Sequence, residues 1–177
     1  TPISDLLPQE IEEDEAPEVE EGETVSELGE VYQLGRHRLM CGDATKIEDV
    51  EKLMDGKKAA MDFTDPPYNV NYGETMKEAL RYHNSKPRKI LNDSWEDSEA
   101  FYQFLYDAIS AIRPFVTGDV YICMSSSELH TLQKAFADCG GHFSTFIIWV
   151  KHHFTLGRAN YQRQYEPILY GWFDGSS

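Results

Sequence analysis

The residues predict an α/β fold: a doubly wound, mostly parallel sheet with helices on both faces. Three observations carry that expectation. Short β-favouring runs alternate with helix-period apolar stripes over residues 31–177. Capping residues open the stripes, and glycine or proline closes them. The connections between apolar strands are long enough for parallel crossovers.

The folded part is preceded by an acidic segment, Thr1–Glu30, which carries 12 acids and no Lys or Arg. Interrupted by Pro2, Pro8 and Pro17, it repels itself and buries too little to offset ordering entropy, so a disordered linker over 1–30 is expected. An autoinhibitory arm mimicking DNA, or a tether to an upstream domain, are the functional alternatives. The whole chain has 31 acids against 16 bases, a net charge of -15, which on its face disfavours a polyanionic partner. Residues 31–177 hold 19 of those acids (31 less the 12 of the tail) and all 16 bases, so the body is almost balanced.

Val31–Gly42 reads as a hairpin around Gly35 leading into a strand that stops at Gly42-Asp43. Thr45 is placed to cap a helix with Ile47, Val50, Leu53 and Met54 on one face, stopped by Gly56. Ala59–Thr64 reads as a buried strand, which would bring Asp43 and Asp65 to the carboxyl ends of parallel strands, where open α/β sheets bind ligands. Periodicity is lost from Asn69 to Asp93. Ser94-Trp-Glu-Asp97 is a candidate capping box before a stripe of Phe101, Phe104, Leu105, Ala108, Ile109 and Ile112 that ends at Pro114. Gly118 opens a strand over Val120–Met124. Ser125–Ser127 then cap a helix with Leu129, Leu132, Ala135 and Phe136 buried, stopped at Gly140-Gly141. Phe143–Val150 is expected to be a buried strand and Glu166–Trp172 another, separated by a polar loop from Lys151 to Gln164.

Three separated cysteines, Cys41, Cys123 and Cys139, suggest neither a disulfide framework nor a zinc knuckle. A reducing cytoplasm is the expected setting. No apolar run approaches the ~20 residues of a membrane span, and the N-terminus lacks a basic-then-apolar signal, so no membrane partner is expected.

The chemistry centres on Asp65-Pro66-Pro67-Tyr68. A chance match in a chain this long is on the order of one in a thousand, given Pro near 5%. Its place directly after an apolar strand is where catalytic residues of such sheets sit. The plain alternative is a rigid turn whose aspartate caps nearby N–H groups. The sequence resembles the amino-directed DNA methyltransferases, which methylate adenine N6 or cytosine N4 from S-adenosylmethionine. The resemblance rests on Gly42-Asp43-Ala44, Phe63–Val70, Ile148–Lys151, Leu156-Gly157-Arg158 and Glu166–Trp172, in the order of the permuted subgroup whose catalytic half comes first. It implies an incomplete Rossmann-like methyltransferase fold over 31–177, Asp65, Pro66, Pro67 and Tyr68 as catalytic residues, and Asp43 as the acceptor for the cofactor's adenine amino group. No metal is implied.

Those residue types suit the reaction. An exocyclic amine is planar and weakly nucleophilic because its lone pair is delocalised into the ring. Asp65 and the Pro66 carbonyl can each accept one N–H, localising the lone pair and aiming it at a sulfonium methyl. Consecutive prolines preorganise that carbonyl, and Tyr68 offers a face on which a flipped base can stack, worth ~1–3 kcal/mol. Lys77, Arg81, Lys86, Arg88 and Lys89 form the most basic stretch, placed to contact the phosphates of double-stranded DNA. Lys151, His152, His153, Arg158 and Arg163 are candidates for further backbone contacts.

The chain also departs from the family. It contains no G-x-G, so the glycine-rich cofactor loop expected after the Tyr-Gly-Trp strand is absent, and Gln164-Tyr165 stands where a histidine is expected. These departures suggest the N-terminal half of a longer enzyme, with the C-terminal half or an upstream domain as partner, poorly active alone. Asp rather than Ser before Pro-Pro favours adenine N6 over cytosine N4. A carbon-5 cytosine enzyme is disfavoured, because no Pro-Cys pair supplies its nucleophile. The competing readings are a truncated, inactive α/β domain with residual DNA binding, and a small-molecule or protein methyltransferase using the same turn.

Overall fold

A computed structural model describes residues 26–71, 93–95, 97–155 and 160–174, with Phe154 and Thr155 described by their backbone alone. The expected hairpin is present: β1 (Val31–Leu34) and β2 (His37–Met40) pair antiparallel about Gly35, where φ is +62°. The two strands form a sheet of their own. A tight turn commits β2 to its neighbour β1, so β2 is not a strand of the main sheet. Asp43 and Asp65 therefore do not end paired parallel strands, contrary to the sequence reading. The hairpin is anchored through Arg38, whose guanidinium donates to the carbonyls of Leu53 (2.8 Å) and Lys52 (3.0 Å). Those carbonyls lie at the end of α1 (Ile47–Met54), where unpaired C=O groups attract a cation.

The main sheet has the order β3–β4–β6–β5, built from β3 (Ala59–Thr64), β4 (Val116–Cys123), β5 (Gly141–Thr155) and β6 (Arg163–Phe173). β3 and β4 are parallel, joined through α2 (Ser98–Ile112) and a 3₁₀ turn at Arg113–Phe115. β6 inserts antiparallel between β4 and β5. The sheet is thus mixed, not mostly parallel. The physical reason is connection length: residues 156–162 are too few for a crossover, which needs a dozen or more, but enough for a hairpin. The predicted polar loop is correspondingly shorter, with Lys151, His152 and His153 in β5 and Arg163 in β6.

α2 and α3 (Leu129–Asp138) cover one face of the sheet. Phe101, Leu105 and Ile109 of α2 and Leu132, Ala135 and Phe136 of α3 close over Val116, Val120, Ile122, Leu169 and Phe173. The other face is open and carries exposed Met61, Phe63, Ile147, Trp149 and Trp172, so helices do not cover both faces among the described residues. β3 and β5, read as buried strands, lie at the two edges of the sheet, which is why Ile147 to Val150 and Met61 are exposed.

Gly118 and Gly171 permit close approaches that any side chain would block. A Cβ on Gly118 would lie 1.9 Å from the Ala60 carbonyl oxygen, where the β3–β4 register shifts. One on Gly171 would lie 2.8 Å from the Phe136 ring and 2.3 Å from the His142 carbonyl.

The caps differ from those expected. α2 begins at Asp97, whose Oδ1 accepts from Glu99 N at 3.0 Å, not at Ser94. Lys46 and Glu128 cap α1 and α3, with no side-chain bond, in place of Thr45 and Ser125–Ser127. No helix of the described residues is long and apolar enough to cross a membrane.

Candidate active site

Parallel pairing brings the carboxyl ends of β3 and β4 side by side, and alternation decides what they present there. Val120 and Ile122 point into the helix-covered core, so Cys123 points to the open side. In β6, buried Leu169 has the opposite parity to Glu166, which shares the open side with Cys123 and lies across from Trp149. Asp65 follows β3 directly and is exposed. As a result the donor atoms of Asp65, Cys123 and Glu166 all lie within 4.8 Å of one another.

Tyr68 closes this group. Its hydroxyl donates to Glu166 Oε1 and lies within hydrogen-bonding reach of Asp65. Burial, reinforced by these two carboxylates, pushes the phenol's pKa well above its ordinary value, so it stays a donor. Lys151 pairs with Glu166 Oε2 and sits 4.9 Å from the Trp149 ring centre. Burial, with Asp65 and Glu166 nearby, likewise pushes the Cys123 thiol upward.

The turn after Tyr68 is tied down at several points. Asn69 and Asn71 adopt left-handed φ of +57° and +48°, which asparagine tolerates better than most residues. Asn69 Oδ1 accepts from Trp95 N at 2.7 Å, its amide reaches Glu128 at 3.4 Å, and Asn71 N donates to the Asp93 carbonyl at 2.7 Å. Asp93 is buried and also receives Val70 N at 3.2 Å. Neither the Pro66 carbonyl nor the Asp65 carboxylate is taken up by a cation or a backbone N–H of the described residues. Asp65 therefore stands at the start of a braced loop that follows an edge strand of the sheet.

Asp43 stands apart from this group. Its Oδ1 accepts from the Thr45 hydroxyl (2.7 Å) and Thr45 N (3.0 Å), and Lys46 Nζ lies 3.9 Å from Oδ2. The Thr45 hydroxyl bond, then the Thr45 amide, hold its carboxyl below the ordinary range. This is the geometry of a turn-forming aspartate. No hydrogen bond or ion pair among the described residues joins it to Asp65, Tyr68 or Glu166. The basic residues Lys77, Arg81, Lys86, Arg88 and Lys89 lie outside the described residues. Arg163 donates to Ser126 Oγ at 2.5 Å, and Lys151 is committed to Glu166, so neither projects freely.

A cleft of about 500 Å³ opens at the opposite end of the sheet, lined by Ser110, Arg113, Val116, Cys139 and Phe173, and does not include Asp65. Sequence reasoning gave Cys123 no role and quoted Glu166 without assigning it one. Their parity within strands was the available signal, and it became usable only once β6 was known to pair with β4.

No protein-family model matches the chain, and no curated protein matches it. Similar solved structures exist. M1.HpyAVI, solved as a complex with SAM, aligns at 19% identity and a TM-score of 0.48, covering 76% of this chain and 54% of that one. TTHA0409, a candidate DNA modification methylase from Thermus thermophilus, aligns at 19% identity and a TM-score of 0.45, covering 77% and 53%. The chain spans about half the length of these structures.

Proposed function

We propose that the chain carries the acceptor-side chemistry of a DNA methyltransferase, directing methyl transfer to the exocyclic amine of a flipped base, adenine N6. The observation that supports this reading best is the exposed Asp65, followed directly by Pro66 in a turn braced through Asn69. One amine hydrogen is bonded to each acceptor, so the nitrogen is drawn toward tetrahedral geometry with its lone pair facing outward. S-adenosylmethionine, when bound, supplies the methyl group: the nitrogen forms the C–N bond as the C–S bond breaks, and the sulfonium becomes a neutral thioether. The extra proton on nitrogen passes through Asp65 to water.

Tyr68 holds the base by stacking, its ring fixed by the Glu166 bond. Asp43 is assigned the adenosine amino group through Oδ2, since Thr45 occupies Oδ1. The basic stretch Lys77–Lys89 is assigned the duplex phosphates.

The test is methyl transfer from labelled S-adenosylmethionine to duplex DNA by the protein. Asp65→Ala is expected to lower kcat by about 10²-fold or more, as removal of an aligned transition-state contact does. Transfer that persists at the parental rate in Asp65→Ala would show that the acceptor is elsewhere.

A further inference from the structure

We infer that Asp65, Cys123 and Glu166 form a binding site for a thiophilic divalent cation, Zn²⁺ or its spectroscopic substitute Co²⁺. The site has three donors of mixed type, one sulfur and two carboxylate oxygens, delivered by three chain segments to within 4.8 Å of one another. A single thiolate with two carboxylates is a borderline-soft set, which favours Zn²⁺ over Mg²⁺ or Ca²⁺.

One of the three donors already holds a positive charge, which a metal ion would have to displace. The Lys151 ammonium is bonded to Glu166, which is half-buried and has its second oxygen taken by Tyr68. A cation is therefore part of the local charge balance, and a metal ion would replace Lys151, which has solvent on its outer side. With Zn–S ~2.3 Å and Zn–O ~2.1 Å, a tetrahedral centre spaces its donors about 3.5 Å apart, so the group must contract by about 1 Å. Rotation of the exposed Asp65 side chain supplies that movement, while Cys123 and Glu166 are fixed by their strands.

Binding balances as follows. The Cys123 thiol gives its proton to solvent, the Lys151–Glu166 pair opens, and water completes the fourth position. Those costs make the affinity lower than that of a structural zinc site whose donors are already spaced for the metal. Binding itself does not depend on the methyl-transfer reading. Its consequence does: with Asp65 ligated, the acceptor pair is blocked, and the cation acts as an inhibitor.

The experiment is a Co²⁺ titration of the 177-residue chain bearing Cys41→Ser, which removes the exposed cysteine. Near-ultraviolet thiolate-to-cobalt charge transfer should appear with 1:1 stoichiometry and be displaced by Zn²⁺. Cys123→Ser should abolish the band, and Glu166→Gln and Asp65→Asn should each weaken binding at least tenfold. A band that survives Cys123→Ser, or a parental chain that gives no thiolate band at millimolar Co²⁺, would overturn the assignment. The parental titration leaves Asp65, Cys123 and Glu166 unchanged and alters only the exposed Cys41, so a misfolded ligand mutant cannot rescue the idea. A thiolate band together with no methyl transfer by the metal-free protein would sink the proposed reaction alone, and transfer by the metal-free protein with no band would sink the metal site alone.

Discussion

Replacing Asp62 by Asn should stabilise the protein at neutral pH. Asp62 is a β3 residue opposite Val120, and that strand register turns it toward the helix-covered core. Its Oδ2 is buried without a hydrogen-bond partner among the described residues. Burial alone raises its pKa from 3.8 to about 6. The sign follows from linkage. A carboxyl whose folded pKa is raised costs nothing below about pH 4, where both states are protonated. It destabilises progressively as pH climbs through about 6, and the cost then levels off. Raising the pKa from 3.8 to about 6 corresponds to an upper bound of about 3 kcal/mol. An Asn amide must still find acceptors there, which lowers the expected gain to about 1–3 kcal/mol.

Urea unfolding at pH 7.5 and pH 4.5 measures the effect. With m of ~1–3 kcal/mol/M, the variant's midpoint should rise by roughly 1 M at the higher pH and by about a third as much at the lower, where the unfolded carboxyl is already mostly ionised. Equal differences at the two pH values, or destabilisation at pH 7.5, would refute a buried, unpartnered carboxylate as the cause.

Gly118→Ala should cost several kcal/mol, because its Cβ meets backbone at Ala60, which cannot move aside without breaking the β3–β4 pairing; thermal unfolding reads the loss, and a cost under about 1 kcal/mol would contradict the packing. Tyr68→Phe keeps the ring but removes the bond to Glu166, so stability should fall by about 1 kcal/mol in denaturant melts; in transfer assays it should retain far more activity than Tyr68→Ala if the ring stacks on the base. Combined Arg88→Ala and Lys89→Ala should weaken duplex binding and reduce the slope of log affinity against log salt by up to about 2; an unchanged slope would remove that stretch from the phosphate contacts.

The local grammar of this chain was legible in its residues. Hydrophobic spacing located the three helices and the strand positions, and Gly35, Gly56, Pro114 and Gly140 marked where elements stop. The Asp65–Tyr68 turn could be recognised because two prolines leave few backbone conformations open. These are properties of contiguous residues, and sequence records them directly.

What the tertiary structure decided concerns residues far apart in the chain. Whether β2 joins the main sheet, and whether β6 lies beside β4 or beyond it, depends on hydrogen-bond partners that no single segment specifies. Strand length and alternation look alike at an edge and in the centre, so β3 and β5 read as buried when they are not. Insertion of β6 next to β4 carries Glu166 to Cys123 and Asp65, while the hairpin's separate pairing leaves Asp43 in its own turn with Thr45. Alternation sets which side of a strand each residue faces, and only the pairing of distant strands determines which residues meet there.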